Sequence, residues 1–214
     1  MAKDIGVLVV AHGIEQEVRE RFETHLKRSN PQHSYELLIM GSVQRKGTFN
    51  KCKLLNKGLK KLLKNNHQAI LQTDIDLIIP PKLIDKSFEV AISGRCCNHV
   101  CMRRINIDEI KGKDYDDYPW QKWKKYKRIY ASGCWNMMKP NLFEEIGGWN
   151  EWMIGWGEED AAFRRIGMSK KIKWKDNYRS PLVHIDHPKR TTNQKKHNRD
   201  MEKKAKKEGK TNWL

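Results

Sequence analysis

The chain has 214 residues, a length that suits one domain with a short appendage. Hydrophobic residues make up 38%, enough for one core, and the formal net charge is +17, from 43 Lys and Arg against 26 Asp and Glu. A surplus that large speaks of an anionic partner: nucleic acid, an anionic membrane surface or a polyanionic substrate. The longest apolar runs, such as Val7–Ala11, fall far short of the roughly 20 residues a membrane span needs. The start, Met1-Ala2-Lys3-Asp4, lacks a signal peptide's apolar stretch. Cys52, Cys96, Cys97, Cys101 and Cys134 are an odd number without a paired framework. Together these features read as a cytoplasmic protein with reduced thiols.

Ile5–Ala11 (IGVLVVA) reads as a buried first strand, ending at His12-Gly13. Glu15–Lys27 carries Val18, Phe22 and Leu26 at helical spacing. Tyr35–Met40 (YELLIM) reads as a second strand. Cys52–Lys64 places Leu54, Leu55, Leu59, Leu62 and Leu63 on one side of a helix with a lysine-rich outer face. Ala69–Ile79 (AILQTDIDLII) reads as a third strand stopped by Pro80 and Pro81, and Phe88–Ser93 (FEVAIS) as a fourth. Strands alternating with helices predict an α/β fold with a mixed, mostly parallel central sheet flanked by helices. Beyond residue 110 the chain turns aromatic and basic (Tyr115–Tyr130, YDDYPWQKWKKYKRIY), then rich in Gly, Trp and acid (Gly133–Gly167), and Leu182–Pro188 (LVHIDHP) is a short strand-like piece. Residues 1–188 form the expected domain, with a change of character near residue 110. Residues 189–214 form a basic polar tail. Between Lys189 and Lys210 it holds ten Lys and Arg against three Asp and Glu, too polar to bury a core face, so it reads as a solvated helix or a disordered segment.

Asp74-Ile75-Asp76 sits in an otherwise apolar strand. Ionised carboxylates are costly to bury without a partner. Ligands of open α/β sheets bind beyond the carboxyl ends of the strands, where Pro80-Pro81 puts this pair. Strand alternation points both acids to one side. There they hold a hard divalent ion and through it a diphosphate, or they are ordinary solvated acids. Cys96-Cys97-Asn98-His99-Val100-Cys101 fits no standard zinc spacing and reads as idle thiols. Trp120 and Trp123 either stack an acceptor ring or pack a rim.

Two longer blocks give these residues a context. Gly47–Gly58 reads GTFNKCKLLNKG, followed by TDIDLIIP, and Gly133–Arg165 reads GCWNMMKPNLFEEIGGWNEWMIGWGEEDAAFRR. In this order they resemble the β-1,4-galactosyltransferase family. There a Phe-Asn-Arg-Ala-Lys-Leu-Leu-Asn-x-Gly segment precedes an Asp-x-Asp strand, and a second block ends in Trp-Gly-x-Glu-Asp. Bacterial chondroitin-type polymerases share that second block. The resemblance covers residues 44–188.

The resemblance implies a single GT-A (Rossmann-like) domain, a UDP-sugar donor, Mn²⁺ or Mg²⁺ as cofactor and inversion at the anomeric carbon. It places Asp76 as a metal ligand, Asp74 close to the donor, and Phe49 and Lys51 at the nucleotide, Lys51 standing where the family has Arg. It places Asp160 as catalytic base, Glu159 at the acceptor, and Trp156 on a mobile lid that touches donor and acceptor. A histidine beyond the Trp-Gly block completes the metal site: His184 or His187, with His184 nearer the strand body. The residue types agree with that chemistry. An ionised Asp accepts the proton of an attacking hydroxyl, carboxylate with imidazole suits Mn²⁺, and Gly155 and Gly157 give Trp156 a hinge. Glu158-Glu159-Asp160 also reads as the acidic first turn of a helix.

Lys111–Arg128 carries seven Lys and Arg against three acids, interleaved with Tyr115, Tyr118, Trp120, Trp123 and Tyr126. Basic residues track phosphates and aromatic rings stack on bases. An anionic acceptor polymer follows, with DNA bearing hydroxymethylated bases as a concrete candidate. The rival acceptor is a bacterial or phage cell-surface polysaccharide or teichoic acid, with the basic tail in peripheral contact with anionic membrane. A rival from another class is a nucleic-acid-binding protein on a degenerate transferase scaffold.

Overall fold

The computed structural model describes residues 3–11, 16–29, 32–41, 49–99, 101–127, 129–130, 133–177, 182–186 and 194–214. In chain order the strands are β1 (Ile5–Val10), β2 (Tyr35–Met40), β3 (Ala69–Asp74), β4 (Leu77–Ile78), β5 (Cys96–Asn98), β6 (Cys101–Ile105), β7 (Ile129–Tyr130), β8 (Trp135–Met138), β9 (Trp174–Asp176) and β10 (Val183–Ile185). The helices are α1 (Gln16–Ser29), α2 (Lys51–Leu62), α3 (Leu83–Ile92), α4 (Trp120–Trp123), α5 (Pro140–Ile146), α6 (Glu159–Ser169) and α7 (Lys195–Lys207). Six strands form the central sheet in the order β2-β1-β3-β8-β5-β9. β1 runs parallel to β2 and β3, and β5 parallel to β9, while β8 is antiparallel to both of its neighbours. A second sheet, β4-β10-β6-β7, stands beside it.

Side-chain alternation splits the core in two. Ile5, Val7 and Val9 of β1 pack with Phe22 and Leu26 of α1 and with Ile84, Phe88 and Ala91 of α3. Leu8 and Val10 pack on the opposite face with Leu55, Leu59 and Leu62 of α2, Phe143 of α5 and Phe163 of α6. The fully apolar β1 follows from this double cover, as expected of a parallel strand buried on both faces. α5 begins with Pro140 and ends at Gly147 with φ 87°, the usual proline-in, glycine-out bounds of a short helix.

Three expectations change. Phe88–Ser93 belongs to α3 and not to a strand: Leu83, Ile84, Ser87, Phe88 and Ala91 recur at helical spacing and are buried, and this longer period outweighs the short apolar run. The third strand does not run through to Ile79. It ends at Asp74, turns at Ile75-Asp76 and resumes as β4 in the other sheet, paired antiparallel with β10. The tail is neither solvated all round nor disordered from Gln194 onward. α7 buries Asn198 and Ala205, and Trp213 beyond it is 8% exposed. The tail is anchored by Asn198 and by the few apolar residues Met201, Ala205 and Trp213, too sparse to make an apolar stripe in the sequence.

The aromatic segment also differs from its expected role. Tyr115, Tyr118 and Trp123 are 5%, 7% and 1% exposed and join Ile78, Ile105, Val183 and Ile185 in a third core cluster. Tyr115 donates to the carbonyl of Ile79 at 2.5 Å, and Trp123 and Tyr126 donate to Glu109 at 3.2 and 2.7 Å. Trp123 therefore packs. These rings are sequestered by the hydrophobic effect and present no stacking platform. Cys52, Cys96, Cys97 and Cys134 are buried free thiols. No helix among the described residues is long and apolar enough to cross a membrane.

Candidate active site

α2 ties the two sequence blocks together. Asn50 caps it by accepting from the backbone N–H of Lys53 at 2.9 Å, and its amide donates to the Glu151 carbonyl at 2.9 Å. One turn on, Asn56 donates to the Trp149 carbonyl and accepts from the Trp149 N–H, both at 2.8 Å. Between them Lys51 is driven into the molecule, 2% exposed. Its Nζ lies 3.2 Å from Asp160 Oδ2, 3.3 Å from Glu159 Oε1 and 3.6 Å from Asp74 Oδ1. Asp74 comes from the end of β3, and Glu159 and Asp160 from the first turn of α6, so the cluster lies beyond the carboxyl end of a central strand.

The electrostatics are lopsided. Burial works against the ammonium of Lys51, yet Asp160, Asp74 and Glu159 together hold its pKa well above the usual lysine value. Burial raises the Asp74 carboxyl, with Lys51 pulling it down and Asp76 pushing it up. Burial pushes Asp160 up to about 8, against the pull of Lys51 and with the help of Glu159 and Asp74. Asp160 and Asp74 keep 16% and 27% of their side-chain surface open, the edges a substrate can reach.

Asp160 is seated on a glycine. Gly133, just before β8, has φ +98°, and a Cβ there would overlap the Cβ and Cγ of Asp160. Only glycine accepts both that backbone and that contact. At the other side of the helix start, Glu158 has φ 72°, an uncommon conformation for a side-chain-bearing residue. It turns Glu158 outward to Arg199 and Arg165, at 2.9 and 3.5 Å, while Glu159 turns inward. Glu159 is 4% exposed. One of its oxygens meets Lys51 and the other accepts from the Gly157 N–H at 2.6 Å.

The Gly155-Trp156-Gly157 loop closes the crevice. The Trp156 ring lies 5.1 Å from Phe49, and Lys51 Nζ is 5.0 Å from the Trp156 ring centre. The Gly155 N–H donates to the Phe49 carbonyl at 3.1 Å. α7 holds the loop from outside. Asn198 accepts from the Ile154 N–H at 3.0 Å and donates to the carbonyls of Ile154 and Gly157 at 3.1 and 2.7 Å.

Asp76 and His184 come together across the β4–β10 pairing, Oδ2 to Nε2 at 3.5 Å. Among the described residues no three His, Cys, Asp or Glu converge as a ready metal site. His187 lies outside the described residues. The donor set nonetheless fits a divalent cation. Carboxylate and imidazole suit Mn²⁺ or Mg²⁺ with the remaining positions left to water and phosphate oxygens. Charge asks for one as well: Asp74, Glu159 and Asp160 share Lys51, and Asp76 beside them pairs with His184.

Phe49, Lys51, Asp74, Trp156, Glu159 and Asp160 thus form one crevice, with Asp76 and His184 in the adjoining turn and strand. Gly133 and Asn198 are two residues whose parts the sequence did not disclose. Gly133 opens the second block, ahead of a strand, a signal that a backbone position there needs glycine. Asn198 is one polar residue in a polar tail and gave no signal.

A mixed, mostly parallel six-stranded sheet flanked by helices, with β8 running antiparallel between β3 and β5, is the GT-A fold. The catalytic domain of Drosophila β1,4-galactosyltransferase 7, solved with xylobiose, shares it with a TM-score of 0.64 and 17% sequence identity, over 91% of this chain and 79% of that one. A mutant of that enzyme with manganese, UDP-Gal and xylobiose gives a TM-score of 0.62 at the same identity and coverage. GalNAc-T7 with UDP, GalNAc and Mn²⁺ gives 0.60 and 15% identity, over 87% of this chain and 44% of that one. No protein-family model and no curated protein matches the sequence.

Proposed function

We propose that the protein is a metal-dependent, inverting glycosyltransferase that moves a sugar from a UDP-sugar to a hydroxyl of a polyanionic acceptor. One observation carries this reading: Asp160, Glu159 and Asp74 gather on Lys51 at a strand end, beside the Asp76–His184 pair. Solved proteins of the same fold hold UDP or UDP-Gal together with manganese.

In the reaction the acceptor oxygen bonds to C1 of the sugar as the bond from C1 to the diphosphate oxygen breaks. The electron pair leaves with UDP, and the acceptor proton passes to Asp160. Asp160 Oδ1 is buried and accepts no hydrogen bond from the described residues, so this oxygen is uncommitted. Lys51 holds the other oxygen in place. Phe49 and Trp156 make an apolar clamp on the donor, and Glu159, bound to the Gly157 N–H, sets the loop beside the acceptor. Asp76 and His184 would hold the divalent cation, which would stabilise the leaving diphosphate as a Lewis acid.

Charge placement supports a polyanionic acceptor. α7, held against the Trp156 loop by Asn198, turns Lys195, Lys196, Arg199 and Lys203 outward. Such a ridge tracks phosphates at a spacing and salt dependence that binding measurements read. DNA with hydroxymethylated bases supplies both the phosphates and the hydroxyl, the base being flipped out of the stack.

Two titrations test this reading. UDP is expected to bind in the presence of Mn²⁺ and to lose that binding in Asp76→Ala. No UDP binding with or without metal would overturn the transferase and leave a nucleic-acid-binding protein on a transferase scaffold. DNA binding is expected to weaken steeply with salt. Its absence, with UDP binding intact, would move the acceptor to a cell-surface polysaccharide or teichoic acid.

A further inference from the structure

A row of polar side chains crosses the central sheet inside the protein. Gln72 of β3, Asn136 of β8 and Asn98 of β5 stand directly opposite one another in register, and are 0%, 2% and 1% exposed. By alternation all three share the face of Ile70, Met138 and Cys96, the face that α2, α5 and α6 cover. They bond head to tail. Asn98 donates to Asn136 at 2.6 Å, Asn136 donates to Gln72 at 2.7 Å, and Gln72 donates to the carbonyl of Gly133 at 3.2 Å. At the far end Asp176 of β9 is the register neighbour of Asn98, and it receives both arms of Arg164 at 2.7 and 2.6 Å. Arg164 lies one turn beyond Asp160 on α6.

Three buried amides in an apolar sheet are costly, the more so as Asn98 Oδ1 accepts no hydrogen bond among the described residues, and a same-sense chain of them polarises and stiffens itself. The row begins at the glycine on which Asp160 rests and ends beside the aspartate that clamps the helix bearing Asp160.

We propose that Gln72, Asn136 and Asn98 are positioning residues for Asp160, acting through Gly133 at one end and through the Asp176–Arg164 pair at the other. The inference rests on Asp160 being the base, but the positioning itself is separately measurable. The test replaces the row by apolar side chains of similar shape, Gln72→Met with Asn98→Val and Asn136→Val, so that no amide is left orphaned. Gln72→Met alone, which takes a partner from the Gly133 carbonyl and from the Asn136 amide but leaves the Asn98–Asn136 bond, is the second variant in case the triple one does not fold.

Crystal structures are expected to show the Asp160 carboxylate withdrawn from Lys51, against 3.2 Å in the parent chain. The kcat for sugar transfer is expected to fall about tenfold to a hundredfold while the KM for UDP-sugar stays unchanged. A folded variant with Asp160 in place and kcat intact would overturn the proposal and leave the row as a register lock for the sheet. An equal rise in KM would also overturn it, as general loosening. Asp160 displaced in the variant, where the parent chain transfers no sugar, would uphold the positioning and sink the transferase reading alone.

Discussion

Two ion clusters meet at the peptide between Glu158 and Glu159, and they are built to different ends. On the outer side, Glu158 and Glu202 face Arg165, Arg199 and Lys206, with Glu158 and Glu202 within 2.9 and 2.6 Å of an arginine and every arginine or lysine largely open to water. Charges there are matched or in cationic excess, and screening makes each pair weak. On the inner side, Asp74, Glu159 and Asp160 share one buried lysine. The outer cluster fastens α7 to the start of α6. The inner one carries an unmet negative charge in a crevice, an arrangement that folding alone does not favour and that a cation and a diphosphate would relieve. The contrast separates charges that hold the fold from charges that serve the chemistry.

The largest break in that contrast comes from Gly133→Ala. The new methyl group collides with Asp160, and the φ of +98° disfavours alanine. Transfer is expected to fall about a hundredfold, because a misplacement of the base near 1 Å has that effect. Rates from progress curves with UDP-sugar and Mn²⁺ check it, and parent-like turnover would show that the close contact is dispensable. His184→Ala tests the adjoining pair. Losing an imidazole beside Asp76 should weaken metal affinity at least about tenfold, as read by Mn²⁺ titration. Affinity unchanged would remove His184 from the site.

The inner cluster also makes a pH prediction. Asp160 is held at about 8 in the fold against an ordinary 3.8, so the folded chain binds more protons than the unfolded one between those values. The stability this group contributes is therefore full at acid pH and is lost as the pH rises towards 8. The metal-free melting temperature should fall between about pH 5 and pH 8. Asp160→Asn should flatten that slope, and Mn²⁺ should restore stability at the alkaline end. A slope that Asp160→Asn leaves unaltered would place the buried charge elsewhere. The smallest effect belongs to the outer cluster. Arg199→Ala removes an exposed partner of Glu158 and should cost less than about 1 kcal/mol in denaturant unfolding, with turnover nearly intact.

Much of the site was legible because its chemistry demands particular residues at particular spacings. Asp74, Asp76, Trp156, Glu159 and Asp160 stand in short motifs, and the fold brings Asp74, Trp156, Glu159 and Asp160 around Lys51. β1, β2 and α2 were also plain, since an unbroken β-branched run and a leucine stripe each have one good solution. What escaped were features set by tertiary context. The basic and aromatic stretch around Trp123 looked like a surface for bases, but Tyr115, Tyr118 and Trp123 pack into the core, with Trp120 and Tyr126 half-buried against them. Residues Phe88–Ser93 looked like a strand because a window of six hides a helical period. α7 looked detached, because buried Asn198, surface ion pairs and the scattered Met201 and Ala205 fasten it in place of a continuous apolar face. The amide row from Asn98 to Gln72 shows only when the strands are laid side by side.

The central claim is that Asp160 deprotonates an acceptor hydroxyl while a UDP-sugar is held beside it. The most direct test is product mass. The protein, Mn²⁺, a panel of UDP-sugars and DNA containing hydroxymethylcytosine are incubated together, the DNA is digested to nucleosides, and these are weighed beside a parallel reaction with Asp160→Asn. The account predicts a nucleoside heavier by one sugar residue in the parent reaction, and no such product from Asp160→Asn although that variant still binds UDP. Sugar transfer that survives in Asp160→Asn would contradict it.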